Sequence, residues 1–128
     1  MFQLREQHIQ AMETVAEDNF VERGVLHLRT AFPDATSSMT DESLRARVRN
    51  GMSRARMYGL DTEQQIMCFV DSGMILGEAF DSNPNHDWAR QILDRRQYPA
   101  EVRSQSLLLG ATRWAARPNA PRETASRE

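Results

Sequence analysis

Asp81, Asn83, Asn85 and Asp87 alternate through the segment EAFDSNPNHD, residues 78–87. Oxygen-bearing side chains at every second position are how a calcium loop gathers hard ligands around one cation. The rest of that pattern is missing. Pro84 and His86 stand where the loop needs a flexible turn and a glycine, and Ile92, at the last ligand position, has no carboxylate. The segment reads instead as a turn. Phe80 enters the core, Asn83-Pro84 initiates the turn, and Asn85 or its neighbour caps the helix that follows. Paired carboxylates such as Asp81 and Asp87 are the kind that do acid–base work, but spacing within a loop does not establish a pair.

Other reactive residue types are scattered. His8, His27 and His86 lie far apart, and no His or Cys pair has short ligand spacing, so no metal is expected. His27 follows Phe20 on one helical stripe and reads as a core-edge histidine. Cys68 has no neighbouring His or Lys to activate it and reads as a small helix-face residue. No serine sits in a G-x-S-x-G elbow, and no glycine-rich loop could cradle a phosphate. No catalytic residue and no cofactor is therefore expected.

The densest cluster of one type is Arg45, Arg47, Arg49, Arg54 and Arg56. Such a run suggests a phosphate or nucleic-acid grip. At about 100° per residue, however, Arg45, Arg49 and Arg56 line one edge of an apolar face and Arg47 and Arg54 the other. Their stems then cover core edges while their heads reach water. No aromatic residues interleave for base stacking. The net charge of −2 makes no electrostatic case for nucleic acid or a membrane surface. All sixteen basic residues are arginine, which codon bias explains more simply than interface selection.

The elements that would position these residues are helical. At 128 residues the chain fits one domain with one core. Ile9, Met12, Ala16 and Phe20 make one stripe, and Val21, Val25, Leu28 and Phe32 a second, so residues 4–32 form one long helix or two joined near Gly24. Residues 34–40 are a polar connection. Thr40 or Asp41 caps a helix to Tyr58, which Gly59 ends. Thr62 and Gln65 form a capping box for the most apolar helix, residues 63–77, whose Gly73 and Gly77 would admit a close neighbour. Two more helices follow, near residues 86–95 and 100–116, and the last is apolar nearly all round. The prediction is an all-α, compact bundle of about five helices around a central buried helix near residues 62–77. Residues 1–116 form the domain and 117–128 a disordered tail. No apolar run is long enough to span a membrane. The N-terminus lacks a secretory pattern, and the lone cysteine fits a reducing compartment, so the expected location is the cytoplasm.

The run YGLDTEQQIMCFVDSGMILGEAFDSNPNHDWARQIL, residues 58–93, resembles a small uncharacterised bacterial family encoded beside type VI secretion effectors and spike components. The shared pattern falls on Tyr58, Gly59, Leu60, Glu63, Phe69, Gly77, Phe80, Asp81, Trp88, Ala89, Ile92 and Leu93. Arg5, Glu6 and Gln7, and the stretch from Leu26 to Pro33, also resemble it. These motifs are structural and carry no catalytic residues across. The resemblance implies a non-enzymatic accessory protein that binds a secreted effector as chaperone or loading adaptor. One alternative is a cognate immunity protein. Its acidic patch of Asp71, Glu78, Asp81 and Asp87 would meet a basic toxin cleft. Another is a small DNA-binding regulator using the arginines from Arg45 to Arg56. Under the first two readings the partner is a protein, and Arg45, Arg49, Arg56, Asp71, Glu78, Asp81 and Asp87 are the candidate contacts.

Overall fold

The computed structural model describes residues 2–118, with side chains from residue 16 on. Every regular element among them is helical. They cluster in two compact units, Met1–Asn50 and Gly51–Glu128, a finer division than the single domain of residues 1–116. The division falls inside one continuous helix, so no break in composition marks it. The tail expected from residue 117 lies, from residue 119 on, outside the described residues.

In the first unit, α1 (Phe2–Ala31) is one helix without a break at Gly24. Val21, Val25 and Leu28 of the second stripe are buried; of the first, Phe20 is buried and Ala16 exposed, and the side chains of Ile9 and Met12 lie outside the described ones. His27 is exposed, not at a core edge. Pro33 opens a single helical turn, α2 (Pro33–Thr36), where a plain connection was expected. Proline is preset for the first position of such a turn. Thr36 is buried, with its hydroxyl donating to the Phe32 carbonyl at 2.7 Å. The next helix, α3 (Asp41–Met57), begins where the Thr40 hydroxyl accepts the Ser43 N–H at 3.0 Å, as the sequence predicts.

The second unit opens with the last two turns of α3. Gly59 ends the helix at φ 79°. The N–H of Leu60 reaches back to the Ala55 carbonyl and that of Gly59 to the Arg56 carbonyl, both at 3.0 Å. This is the Schellman arrangement, and its hydrophobic partner Leu60 is fully buried. Thr62 and Gln65 then form the predicted capping box at the start of α4 (Glu63–Leu76).

Helix α4 is the buried middle of this unit. Ile66, Phe69, Val70 and Gly73 are buried on the expected face. Cys68 and Ser72, placed by the sequence on the less apolar side, are buried as well. That side packs on α6 (Ala100–Ala116), so α4 is covered on both flanks. Ser72 satisfies its hydroxyl within the helix by donating to the Cys68 carbonyl at 2.7 Å. Tyr58, Phe69 and Phe80 form an aromatic row with ring centroids 6.0 and 4.9 Å apart. Gly77 does not admit a close neighbour: a Cβ there would meet nothing within 4 Å. Its φ of 111° is what the helix end requires.

The segment after α4 is built from two 3-10 turns, Phe80–Ser82 and Pro84–His86, followed by α5 (Asp87–Asp94). Phe80 is buried, and the Asn83 side chain accepts the Asn85 N–H at 2.9 Å, which is the predicted turn. His86, not Asn85, holds the N-cap position of α5 and gives no side-chain cap. Ala89 and Leu93 are buried on α5, and Leu107 and Ala111 on α6. The two helices meet where Gly110 faces the Trp88 ring.

Candidate functional site

The predicted contact residues divide by unit and by partner. In the first unit, Arg45 Nε donates to Glu22 Oε2 at 2.6 Å and Arg49 Nη2 to Asp18 Oδ1 at 3.1 Å. Arg29, which the sequence did not single out, joins them. Its Nη2 lies 2.6 Å from Asp41 Oδ1, and its Nη1 and Nη2 donate to the carbonyls of Thr36 and Met39. The Arg29 hydrogen bond and charge hold the Asp41 carboxyl below its ordinary range. The Glu22 bond likewise raises the Arg45 guanidinium above its own. These pairs are solvated and contribute little to stability. Their consequence is that Arg45 and Arg49 each face a carboxylate.

In the second unit the proposed acidic patch loses its middle. Asp81 is only 4% exposed and cannot be a surface contact. Its Oδ1 accepts from Arg54 Nη2 at 2.5 Å and Nε at 3.1 Å, and its Oδ2 accepts from the Tyr58 hydroxyl at 2.8 Å. Arg90 lies over the Tyr58 ring at 5.6 Å. Burial, then the Asp81 hydrogen bond and charge, push the Tyr58 phenol up to about 12. A carboxylate in a loop after an apolar helix signalled nothing of this in the sequence. Its partners are 23 and 27 residues away. Of the other candidates, Arg56, Glu78 and Asp87 are exposed and Asp71 is half-buried. Asp87 accepts from Gln91 one turn on, at 2.8 Å.

Asp81, His86 and Asp87 thus engage separate neighbours. His86 is buried with its ring edge 5.0 Å from Trp114, and burial pushes its imidazole below the ordinary range. Trp114 also stacks on Trp88 at 6.3 Å and lies under the Arg117 guanidinium. Cys68 is buried, and burial, then the charge of Asp71, raise its thiol. Among the described residues, no group of three His, Cys, Asp or Glu side chains is placed to hold a metal ion. No helix among them is long and apolar enough to cross a membrane. A depression of about 440 Å³ is lined by Thr62, Gln65, Glu101 and Ser104, among other polar residues. It lies at the N-terminal turns of α4 and α6, where carboxylates are favoured.

The outward surface of α6 is the more informative feature. Val102 and Leu109 are 47% and 51% exposed. They stand seven residues apart, about two helical turns, and so share one face. Tyr98, four residues before Val102, is 51% exposed. The inward face of the same helix carries Leu107 and Ala111. The nearly all-round apolarity of this helix therefore has two parts, a core face and a solvent-facing stripe. No family model, curated protein or solved structure matches the chain. Fold and surface define an all-α protein with an apolar outer helix face.

Proposed function

We propose that this protein is a non-enzymatic accessory factor that binds a type VI secretion effector as chaperone or loading adaptor. The carrying observation is the exposed pair Val102 and Leu109 on one face of α6, with exposed Tyr98 just before the helix. Apolar side chains on one helix face are the contacts by which a helix docks in a partner's groove. The resemblance of residues 58–93 to proteins encoded beside secretion effectors supplies the class of partner. The cytoplasm, where an effector is loaded, is the location this role requires. The immunity reading drew on an acidic patch from which burial removes Asp81. The regulator reading drew on arginines of which Arg45 and Arg49 face carboxylates.

The test is co-expression with the product of the adjacent effector gene. The effector is expected to co-purify with the native protein, and its level or secretion to rise. Replacing Val102 and Leu109 together by Asp should abolish co-purification while leaving the thermal midpoint within about 2 °C, since exposed substitutions change stability little. Unchanged co-purification would sink the assignment of this face. Rescue from toxicity without any effect on effector level would favour an immunity protein.

A further inference from the structure

The C-terminal end of α3 draws two guanidinium groups together. Arg103 is 6% exposed. Its Nε donates to the Tyr98 carbonyl at 3.0 Å, and its Nη1 to the carbonyls of Tyr58 and Leu93 at 2.7 and 2.9 Å. Arg96 Nη2 donates to the Met57 carbonyl at 2.7 Å. The bonds to Met57 and Tyr58 cap carbonyls at the end of α3, where cations are favoured, and those to Leu93 and Tyr98 hold the Arg103 head in place.

Capping leaves donors over on both heads. Arg103 Nη2 and Arg96 Nη1 have no acceptor among the described residues. Both lie beside Gly59. A Cβ placed on Gly59 would stand 3.5 Å from Arg103 Nη2 and 3.6 Å from Arg96 Nη1, with nothing else within 4 Å. Glycine keeps that point clear of side-chain atoms.

The electrostatics there are unbalanced. No carboxylate among the described residues pairs with either arginine. Burial first, then the charge of Arg96, push the Arg103 guanidinium below its ordinary value. A buried cation beside a second cation is half of an ion pair, and a bound anion would relieve it. The two outer carbonyls belong to residues with exposed side chains. Met57, whose carbonyl Arg96 binds, is 73% exposed, and Tyr98, whose carbonyl Arg103 binds, is 51% exposed.

We propose that Arg96 and Arg103 form a receptor for one carboxylate group of a docking protein, with Gly59 beneath it and Met57 and Tyr98 as apolar flanks. The inference rests on the partner-binding role above and names what the partner must present: an acidic side chain or free C-terminus next to an apolar residue. Each head turns one nitrogen toward Gly59, and a carboxylate has two oxygens to accept from both.

The test uses the full chain and follows the arginine Nε–H signals by NMR. The probe is N-acetylglycine, which carries a peptide-like carboxylate, with N-acetylglycinamide as the uncharged control. Ionic strength is held constant with sodium chloride. Saturable shifts are expected at Arg96 and Arg103 but not at Arg54, which Asp81 already occupies, and the amide should be silent. Arg96 is exposed, so Arg96→Gln is expected to fold as the native chain does, a point checked by thermal melt. It should weaken binding about tenfold, the scale of one charge-assisted contact. Shifts that chloride reproduces, or that survive unchanged in Arg96→Gln, would overturn the proposal. So would inorganic phosphate saturating the same signals at lower concentration. If the titration fails while the α6 substitutions still abolish effector capture, the carboxylate site is wrong and the partner-binding role stands.

Discussion

Asp81→Asn isolates the buried hub of the second unit. The native carboxylate is 4% exposed and accepts three hydrogen bonds, two from Arg54 and one from the Tyr58 hydroxyl. Asparagine keeps the shape but presents one oxygen and an NH₂ donor, so either Arg54 or Tyr58 faces a donor in place of an acceptor. Breaking a fully buried ion pair costs about 3–5 kcal/mol. Here the Arg54 side chain is 31% exposed and regains part of its hydration. The hydrogen bond from Tyr58 to a charged acceptor contributes about 1.5–3 kcal/mol. The discounted expectation is a loss of about 2–3 kcal/mol in urea unfolding, read as a shift of midpoint at constant slope. A second readout is the ultraviolet titration of tyrosine. The Tyr58 phenol, at about 12 in the native chain, should fall in Asp81→Asn yet stay above the ordinary tyrosine value of about 10, because burial, the largest cause, remains. The sign follows from linkage. A folded-state pKa raised above the unfolded value gives stability fully present below about pH 10 and lost as pH rises through about 12. In the variant that alkaline loss should begin at the same pH but be smaller and end at lower pH, because only the folded-state value has moved. A stability loss under about 0.5 kcal/mol with an unmoved Tyr58 titration would refute the hub.

Two further outcomes follow from packing and burial. A methyl at Gly110 would stand 2.5 and 3.0 Å from two Trp88 ring atoms. Gly110→Ala is therefore expected to destabilise by about 1–2 kcal/mol and change tryptophan fluorescence, because the overpacking of the α5–α6 contact outweighs the helix-propensity gain of about 1 kcal/mol. His86 is buried with a lowered pKa, chiefly by burial. Its contribution is present above the unfolded value of about 6.5 and lost as pH falls through the lower folded value. His86→Gln should flatten the decline of the urea midpoint in that acid window, and an identical decline in both proteins would count against it.

Local signals account for most of the helix boundaries. Thr62 and Gln65 announce the start of α4 because both bonds of a capping box lie within four residues. Gly59 announces the end of α3 because only glycine takes a positive φ without strain. The turn at Asn83-Pro84 was legible for the same reason. The candidate contacts were less so. Asp81 read as a surface acid because nothing within a few residues explains it. Its partners, Arg54 and Tyr58, sit on another helix. Cys68 and Ser72 read as the outer face of α4 because residue type cannot show that α6 would cover that side. The α6 stripe was foreshadowed by apolar residues in excess of one face, although which of them remain in solvent was not.

Residue order by itself determined that this chain is helical, where α3 and α4 stop and start, and which residues form the buried middle helix. Those properties depend on periodicity, caps and turns, all of which act over one or two turns of chain. Tertiary structure alone decided which charges are spent and which are left over. Arg54 meets Asp81, while among the described residues Arg103 and Arg96 donate only to carbonyls. The physical reason is distance along the chain. An ion pair or an unpaired donor is fixed by which distant segments pack together, and no short window of sequence carries that information.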